Sequence, residues 1–160
     1  MKIAIYAGSF DPITNGHIDI LKTGTQIFDK VIIAVSFNPN KTGFLPVEKR
    51  IRLIQDSVKG IKNVEVDSFD GLTVDYAKKK GAIALLRGIR SSIDFEYENQ
   101  MAQFNQALDK NIKTIFLPPS VQHSFISSSG IREILKNKGD ISEFVPEAVL
   151  NYFKTEHGEI

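Results

Sequence analysis

Several features are missing from this sequence, and the first is cysteine, of which the 160 residues contain none. Without cysteine the protein has no disulfide, no thiolate zinc site and no cysteine nucleophile, and a reducing compartment is favoured. No apolar run is long enough to cross a membrane. No signal-peptide pattern precedes the first predicted strand. We therefore expect a cytoplasmic protein that does not associate with a membrane.

The chain also lacks a marked excess of positive or of negative charge. The chain has 20 lysines and arginines against 19 aspartates and glutamates, a formal net charge of +1 at pH 7. Such a balance gives no broad basic surface of the kind that nucleic-acid-binding proteins use, so nucleic acid is not an expected partner. Any site for an anion must come from the local placement of a few cations and backbone N–H groups.

Two common nucleotide-binding motifs are absent from the first strand–loop–helix unit. It contains neither the Gly-x-Gly-x-x-Gly dinucleotide fingerprint nor the Gly-x-x-x-x-Gly-Lys-Ser/Thr phosphate loop. A hydride-transfer cofactor and a GTPase-like mechanism are therefore both disfavoured.

What the chain does contain is an alternation of short apolar, β-branched runs with longer amphipathic stretches, which is typical of parallel βαβ units in one open sheet. The length fits one domain, residues 1–160. We predict an α/β fold, a Rossmann-like, doubly wound, five-stranded parallel sheet with helices on both faces. The predicted strands are Lys2–Ala7, Lys30–Ser36, Val64–Phe69, Ala82–Leu86 and Thr114–Leu117, and the predicted helices are Gly16–Phe28, Val47–Val58, Thr73–Lys80, Ile93–Leu108, Ser128–Asn137 and Pro146–Lys154.

Ligands of such sheets bind beyond the carboxyl ends of the strands. Polar clusters follow all five predicted strands: Gly8–His17, Asn38–Lys41, Phe69–Thr73, Arg87–Arg90 and Pro118–Ser129. If the strand assignment is right, these clusters converge on one edge of the sheet.

The loop after the first strand reads Gly8-Ser9-Phe10-Asp11-Pro12-Ile13-Thr14-Asn15-Gly16-His17. A loop that leads from a strand into a helix N-terminus offers unpaired N–H groups and the positive end of a helix dipole, so it suits phosphate. Thr14 adds a hydroxyl and His17 adds a ring donor. The alternative is that His17 only caps its own helix.

Two further clusters fit phosphate. Three serines, 127–129, lie at the start of a predicted helix and are followed by Arg132; one serine would suffice as the N-cap, so the others are available to a ligand. Arg87 and Arg90 flank a glycine at a strand end and suit bidentate phosphate contacts, with surface ion pairs to Asp94 and Glu96 as the alternative.

The first loop, the Arg87-Gly88-Ile89-Arg90 segment, the run Asp94-Phe95-Glu96-Tyr97-Glu98 and the segment Ser124-Phe125-Ile126-Ser127-Ser128-Ser129 together resemble a known family. The loop resembles the His-or-Thr-x-Gly-His signature of the nucleotidyltransferases that share a fold with class I aminoacyl-tRNA synthetases. Within that superfamily the combination is similar to the bacterial phosphopantetheine adenylyltransferases, over essentially the whole chain.

The resemblance implies a reaction in which ATP and 4′-phosphopantetheine give dephospho-coenzyme A and pyrophosphate, by in-line attack and without a covalent enzyme intermediate. It implies that His17 stabilises the transition state and that Ser9, Lys41, Thr73 and Arg87 bind the acceptor. The ATP-binding set that it implies is Ser9, Phe10, His17, Gly88, Ile89, Arg90, Glu98, His123, Ser124, Phe125, Ile126, Ser127, Ser128 and Ser129.

The resemblance also implies that Mg²⁺ accompanies ATP with no fixed protein metal site, that the protein is a cytoplasmic homohexamer, and that coenzyme A is a candidate feedback ligand. Ser9 stands where many relatives have threonine, and His123 stands where tryptophan is common. We read the apolar side chains of the fourth predicted helix as core or subunit contact: Ile93, Phe95, Met101, Phe104 and Leu108. Two alternatives remain: transfer to another phosphorylated acceptor, such as nicotinamide mononucleotide or a glycerol phosphate, and a non-catalytic nucleotide-binding regulator.

Overall fold

The computed structural model describes residues 1–155 and contains five strands and six α-helices in that part of the chain. The elements in chain order are β1 Ile3–Gly8, α1 Asn15–Ile27, β2 Lys30–Ser36, α2 Val47–Ser57, β3 Val64–Phe69, α3 Thr73–Lys79, β4 Ala84–Gly88, α4 Ser92–Leu108, β5 Lys113–Leu117, a short 3-10 turn Val121–His123, α5 Ser128–Lys136 and α6 Glu147–Thr155.

All five strands are parallel, in the order β3-β2-β1-β4-β5. The chain runs outward from β1 through β2 to β3, and then crosses back to place β4 on the other side of β1. The strand order therefore reverses between β1 and β4, and a crevice opens there at the carboxyl ends of the strands. The predicted α/β, doubly wound parallel sheet is confirmed.

The core has two parts, one on each face of the sheet. One contains the inward residues of α1, α2, α5 and α6, and the other contains Val74 and Ala77 of α3. The alternating residues of β1 divide between them: Ala4 and Tyr6 face the first part, and Ile5 faces the second. Helices cover both faces, which is why the residues of β2 from 31 to 35 are all at most 1% exposed.

The observed bounds of β2 and β3 match the prediction, while β4 is shifted by two residues. The predicted start was too early because the amide of Ala82 still closes the turn after α3, by donating to Ala77 O at 2.9 Å. At the other end, Arg87 and Gly88 pair with Phe116 and Leu117 of β5. Arg87 and Gly88 therefore belong to the strand itself, which fixes their backbone more firmly than a loop would.

Helix α4 is the least covered of the helices that the structure describes, since none of its residues is buried. The apolar side chains at 93, 95, 101, 104 and 108 are between 39% and 78% exposed. Our interpretation of them as core residues is wrong, and subunit contact remains as the prediction. No helix within residues 1–155 combines the length and the apolar character that crossing a membrane requires.

Candidate active site

A cavity of about 350 Å³ lies at the carboxyl ends of β1 and β4, where the strand order reverses. It brings together side chains that are far apart in the sequence. Its lining includes these predicted site residues: Ser9, Phe10, His17, Arg87, Gly88, Arg90, Glu98, Ile126, Ser127, Ser128 and Ser129. The histidine near the start of the chain and the serines near its end thus border the same space.

The N-terminus of α1 is closed by a reciprocal capping box between Thr14 and His17. The Thr14 hydroxyl accepts from His17 N, and the Nδ1 atom of His17 accepts from Thr14 N at 3.0 Å. Thr14 is 1% exposed and its hydroxyl caps the helix, yet Thr14 also lines the cavity, so its contact with phosphate remains a prediction. His17 is indeed a capping residue, but only through Nδ1.

This geometry fixes the tautomer of His17. Since Nδ1 accepts a hydrogen bond from a backbone N–H, the ring proton of the neutral form must be on Nε2. Burial, with Arg90 and Arg87 adding to it, lowers the pKa of His17 to about 4. At neutral pH His17 is therefore an uncharged donor that presents one N–H.

The ring of His17 is held by aromatic neighbours. Phe10 lies edge-on to it at 5.0 Å between centroids, and Tyr6 lies edge-on to Phe10 at 5.2 Å. Phe10 adopts a left-handed φ of 45°, which is strained for an aromatic residue. A Cβ at Gly8 would stand 3.1 Å from the Phe10 ring, a tight contact that would require the ring to shift by a few tenths of an ångström. Because Phe10 is 2% exposed, its backbone and ring edge are what it can offer a ligand.

Arg87 makes a bidentate ion pair with Glu98 of α4. Its Nε and Nη2 donate to the two carboxylate oxygens at 2.7 and 2.6 Å, and its Nη1 donates to Ala7 O at 2.6 Å. The alternative ion pair with Glu96 is wrong. Asp94 and Glu98 are four residues apart and therefore lie on the same face of α4, the face that meets the sheet, and Glu96 does not share it. A guanidinium has five N–H donors, so two remain for a ligand.

Arg90 connects β4 to the serine segment. Its Nη1 donates to Ile126 O at 3.0 Å, and its Nε lies 3.4 Å from a carboxylate oxygen of Asp94. The ion pair with Asp94 that was the alternative to phosphate binding is thus present, but Arg90 still lines the cavity, where its guanidinium adds positive charge beside His17.

The three serines have different roles in the structure. Ser127 is the N-cap of α5 and accepts from Gly130 N at 3.0 Å. The Ser128 hydroxyl donates to Pro12 O at 2.8 Å and so ties α5 to the loop after β1. Ser129 has its hydroxyl 3.2 Å from that of Ser127. The N-terminus of α5 therefore faces the cavity with its amides and hydroxyls close to the start of α1.

A second, smaller cavity of about 140 Å³ adjoins the first. Ala7, Arg87 and Glu98 line both of them, so the Arg87–Glu98 pair marks the boundary. Thr73, which is predicted to bind the acceptor, lines this second cavity. Met101 and Asn105 of α4 line it as well.

Five predicted residues do not line either cavity: Lys41, Ile89, His123, Ser124 and Phe125. Lys41 is exposed on the loop between β2 and α2. Ile89 continues the β4 ladder, with its amide donating to Leu117 O at 3.0 Å. Phe125 is 69% exposed and lies edge-on to Phe144.

His123 neither stacks over the cavity nor points into solvent. Its Nδ1 lies 2.7 Å from a carboxylate oxygen of Asp19, and Ser120 bonds to the same oxygen through its amide and hydroxyl. Burial would raise the pKa of Asp19, but the bonds from Ser120 and His123 outweigh it and lower that pKa. This cluster fastens the segment before the serines to α1, and sequence reasoning missed it since the partners lie more than 100 residues apart.

The carboxylates of the first cavity do not form a metal site. Glu98 is occupied by Arg87, and Asp94 by Arg90. Within residues 1–155, no cluster of three histidine, aspartate or glutamate side chains could hold an ion. These residues suit an anionic ligand, together with whatever cation the ligand carries.

Comparisons with known proteins agree with this geometry. The cytidylyltransferase-like family model matches residues 5–134. A phosphopantetheine adenylyltransferase of Alkaliphilus metalliredigens is 51% identical over 150 residues, which cover 94% of this chain and 96% of that protein. One of Desulfitobacterium hafniense is 48% identical over 161 residues, covering 100% and 99%.

The fold has a solved counterpart. A Vibrio parahaemolyticus protein described as a nicotinate-nucleotide adenylyltransferase superposes with a TM-score of 0.74 at 21% identity, covering 94% of this chain and 97% of that one. At that identity the likeness concerns the fold alone. Because the family model matches most of the sequence and the relatives match over nearly their full length, the chain belongs to the phosphopantetheine adenylyltransferase family of the cytidylyltransferase-like proteins.

Proposed function

We propose that this protein transfers the adenylyl group of ATP to 4′-phosphopantetheine, releasing pyrophosphate and forming dephospho-coenzyme A in coenzyme A biosynthesis. The observation that carries the proposal is the shared cavity, in which His17 faces the serine segment that begins α5. The relatives named for this activity, about half identical over almost their whole length, support the choice of acceptor.

The chemistry requires one displacement. An oxygen of the acceptor phosphate forms a bond to the α-phosphorus of ATP, and the bond from that phosphorus to the bridging oxygen of the β-phosphate breaks. The electron pair leaves with pyrophosphate. A phosphate monoester is largely ionised at neutral pH, with a second pKa of about 6, so the attack needs no general base. Tyr6 is no candidate base in any case, because burial raises its pKa despite the opposing effect of Arg87.

His17 contributes charge stabilisation. Its Nε2–H donates to the α-phosphoryl oxygens as negative charge grows on them in the transition state. Since Nδ1 is already fixed by Thr14 N, the donor is held in place before the substrates arrive. A preorganised donor of this kind reduces the barrier without reorganisation during the reaction.

ATP binds across β4 and α5 in this proposal. The triphosphate lies against Arg90, His17 and the N-terminus of α5, where the residues 127–129 supply hydroxyls and amides. Ser9 and Phe10 border it from the first loop. The nucleotide site is completed by Gly88, Ile89, Glu98 and the segment from His123 to Ile126. Of these, Ile89 and residues 123–125 contribute through their backbone atoms.

The acceptor phosphate binds between Ser9, Lys41 and the two free N–H donors of Arg87. The pantetheine arm then extends into the smaller cavity past Thr73, since that cavity starts at Arg87. Mg²⁺ arrives with ATP, bound to the phosphate oxygens, and neutralises part of their charge; the protein supplies the arginines around it.

We also propose that the protein is a cytoplasmic homohexamer and that coenzyme A, which carries the product's dephospho-coenzyme A moiety, is a feedback ligand. The exposed apolar residues of α4, among them Ile93 and Phe104 at 78% and 58%, support an assembly through this helix.

The proposal is tested by incubating the purified protein with ATP, Mg²⁺ and 4′-phosphopantetheine while pyrophosphate is measured and the product is identified by mass spectrometry. Pantetheine, which lacks the phosphate, is the matched negative control. We expect pyrophosphate and dephospho-coenzyme A in equal amounts. If the protein prefers nicotinamide mononucleotide or a glycerol phosphate, the proposed acceptor is wrong. If it binds ATP but releases no pyrophosphate, it is a nucleotide-binding regulator and not an enzyme.

A further inference from the structure

One buried carboxylate in the first loop has no part in the chemistry described above. Asp11 is 6% exposed and adjoins the cavity-lining residues Ser9 and Phe10. Its two oxygens accept from the amides of Phe44 and Leu45, at 2.7 and 2.8 Å. These amides belong to the loop between β2 and α2, so the Asp11 side chain holds a second loop against the first.

Arg50 is the buried counter-charge of Asp11 and strengthens the same junction. It is 5% exposed, and its Nε lies 3.9 Å from Asp11 Oδ1. The guanidinium donates to Leu45 O at 2.9 Å and to Ser9 O at 3.0 Å. A buried ion pair is retained at a cost in desolvation, and here both members direct their hydrogen bonds to the backbone of the two loops.

These contacts join the loops that carry two of the proposed acceptor-phosphate ligands. Ser9 is the residue whose carbonyl Arg50 holds. Lys41 lies three residues before Phe44, and its own amide donates to Asn38 O at 3.0 Å. The loop bearing Lys41 is thus closed at one end by a turn and at the other by Asp11 and Arg50. A long, exposed lysine gains affinity for a ligand when its backbone is already fixed.

We propose that Asp11 and Arg50 are positioning residues that set the spacing of Ser9 and Lys41 around the acceptor phosphate. The inference rests on the proposed function and adds to it that the acceptor site, which contains both Ser9 and Lys41, depends on this buried pair more strongly than the ATP site, which shares only Ser9. Neither residue touches the substrates; both act through the two loops.

Gly43 allows the junction to be disturbed without removing a charge. A Cβ at Gly43 would stand 2.6 Å from Asp11 Oδ2 and 2.8 Å from Arg50 Nη2, both atoms of buried groups. Gly60 is a matched control, because a Cβ there would meet nothing within 4 Å. Neither glycine has a left-handed φ, so Gly→Ala differs between them only in this contact.

The experiment compares the wild type, Gly43→Ala and Gly60→Ala in three constants: the acceptor KM, the ATP KM and the inhibition constant of pantetheine. In Gly43→Ala we expect the acceptor KM to rise about 10-fold, the effect of losing one charge-assisted hydrogen bond. The ATP KM and the inhibition constant of pantetheine stay within about 2-fold, because the loss concerns the phosphate. Gly60→Ala matches the wild type in all three.

Arg50→Lys is the second variant, since it keeps the charge beside Asp11 but cannot donate to both the Leu45 and Ser9 carbonyls. The same selective loss in either folded variant supports the inference. A folded Gly43→Ala or Arg50→Lys with wild-type constants, equal losses for ATP and acceptor, or failure of both variants to fold would overturn it. A wild type that does not use 4′-phosphopantetheine at all would instead refute the proposed function.

Discussion

The ATP side and the acceptor side of the site are built in different ways. On the ATP side, His17 and Ser127 lie at capped helix N-termini, where the caps are formed by the same residues that line the cavity. On the acceptor side, Arg87 is held by Glu98, and Lys41 stands on a loop that is held by Asp11. Helix caps thus hold His17 and Ser127, whereas an ion pair orients the Arg87 side chain and a buried carboxylate holds the loop of Lys41.

This difference indicates how each side responds to change. A helix cap satisfies backbone groups that would otherwise be orphaned, so its loss affects both stability and binding. An ion pair that orients an arginine or a loop affects mainly the geometry of the ligand that binds there. Substitutions should therefore separate the two sides by which KM they change.

The largest effect should come from His17, where the two sides meet. His17→Ala removes the preorganised Nε2–H donor, so kcat should fall at least about 100-fold. The affinity for ATP, measured by calorimetry, should change less than about 5-fold because Arg90 and α5 remain. An unchanged kcat would show that His17 does not stabilise the transition state.

Acid should destabilise the wild type through the same residue. The pKa of His17 is about 4 in the folded protein and about 6.5 in an unfolded chain, so between these values the unfolded state binds more protons. The stabilisation present above pH 6.5 is lost as the pH falls toward 4. We expect the free energy of unfolding, measured with urea, to fall between pH 7 and pH 4.5 by about 2 kcal/mol more in the wild type than in His17→Gln. Equal losses in the two proteins would contradict a His17 that is neutral because its pKa is lowered in the folded protein.

On the acceptor side, Arg87→Lys should raise the acceptor KM about 10-fold while the ATP KM stays within about 2-fold in the same steady-state assay. Lysine keeps the charge but cannot make the bidentate bond to Glu98 together with the bond to Ala7 O. Arg52→Lys, at an exposed position of α2, is the matched control. If both KM values rose together, the boundary that we place at Arg87 would be wrong.

The smallest effect is expected for Ser128→Ala, which should change the KM for ATP and leave the KM for the acceptor unchanged. Ser128→Ala removes the hydrogen bond from α5 to Pro12 O, and a net loss of about 1 kcal/mol corresponds to a rise of about 5-fold in the ATP KM. Ser57→Ala removes a similar hydroxyl-to-carbonyl bond, to Leu53 O, far from the cavity and serves as control. A change in the acceptor KM alone would reverse our assignment of the two sides.

The sequence predicted those features that depend on local pattern. The apolar run of β2 and the bounds of β3 follow from periodicity, and the convergence of the Gly8–His17 loop with the serine segment follows from the topology of a parallel sheet. The observed cavity therefore contains most of the residues that the motifs had indicated.

What the sequence could not predict depends on distant partners. Asp11 with Arg50, and Asp19 with His123, meet only after folding, and no spacing rule links them. The hydroxyl of Thr14 has two chemically reasonable uses, and only the structure shows that it caps α1. The apolar face of α4 could not be assigned from periodicity because periodicity does not distinguish a core from a contact with another subunit.

The central claim is that the acceptor phosphate attacks the α-phosphorus of ATP directly within the cavity between His17 and the N-terminus of α5. The most direct test uses ATP that is chiral at the α-phosphorus and determines the configuration of that phosphorus in the dephospho-coenzyme A formed. We predict inversion, as a single in-line displacement requires. Retention, which two displacements through an adenylylated enzyme would produce, would contradict the account.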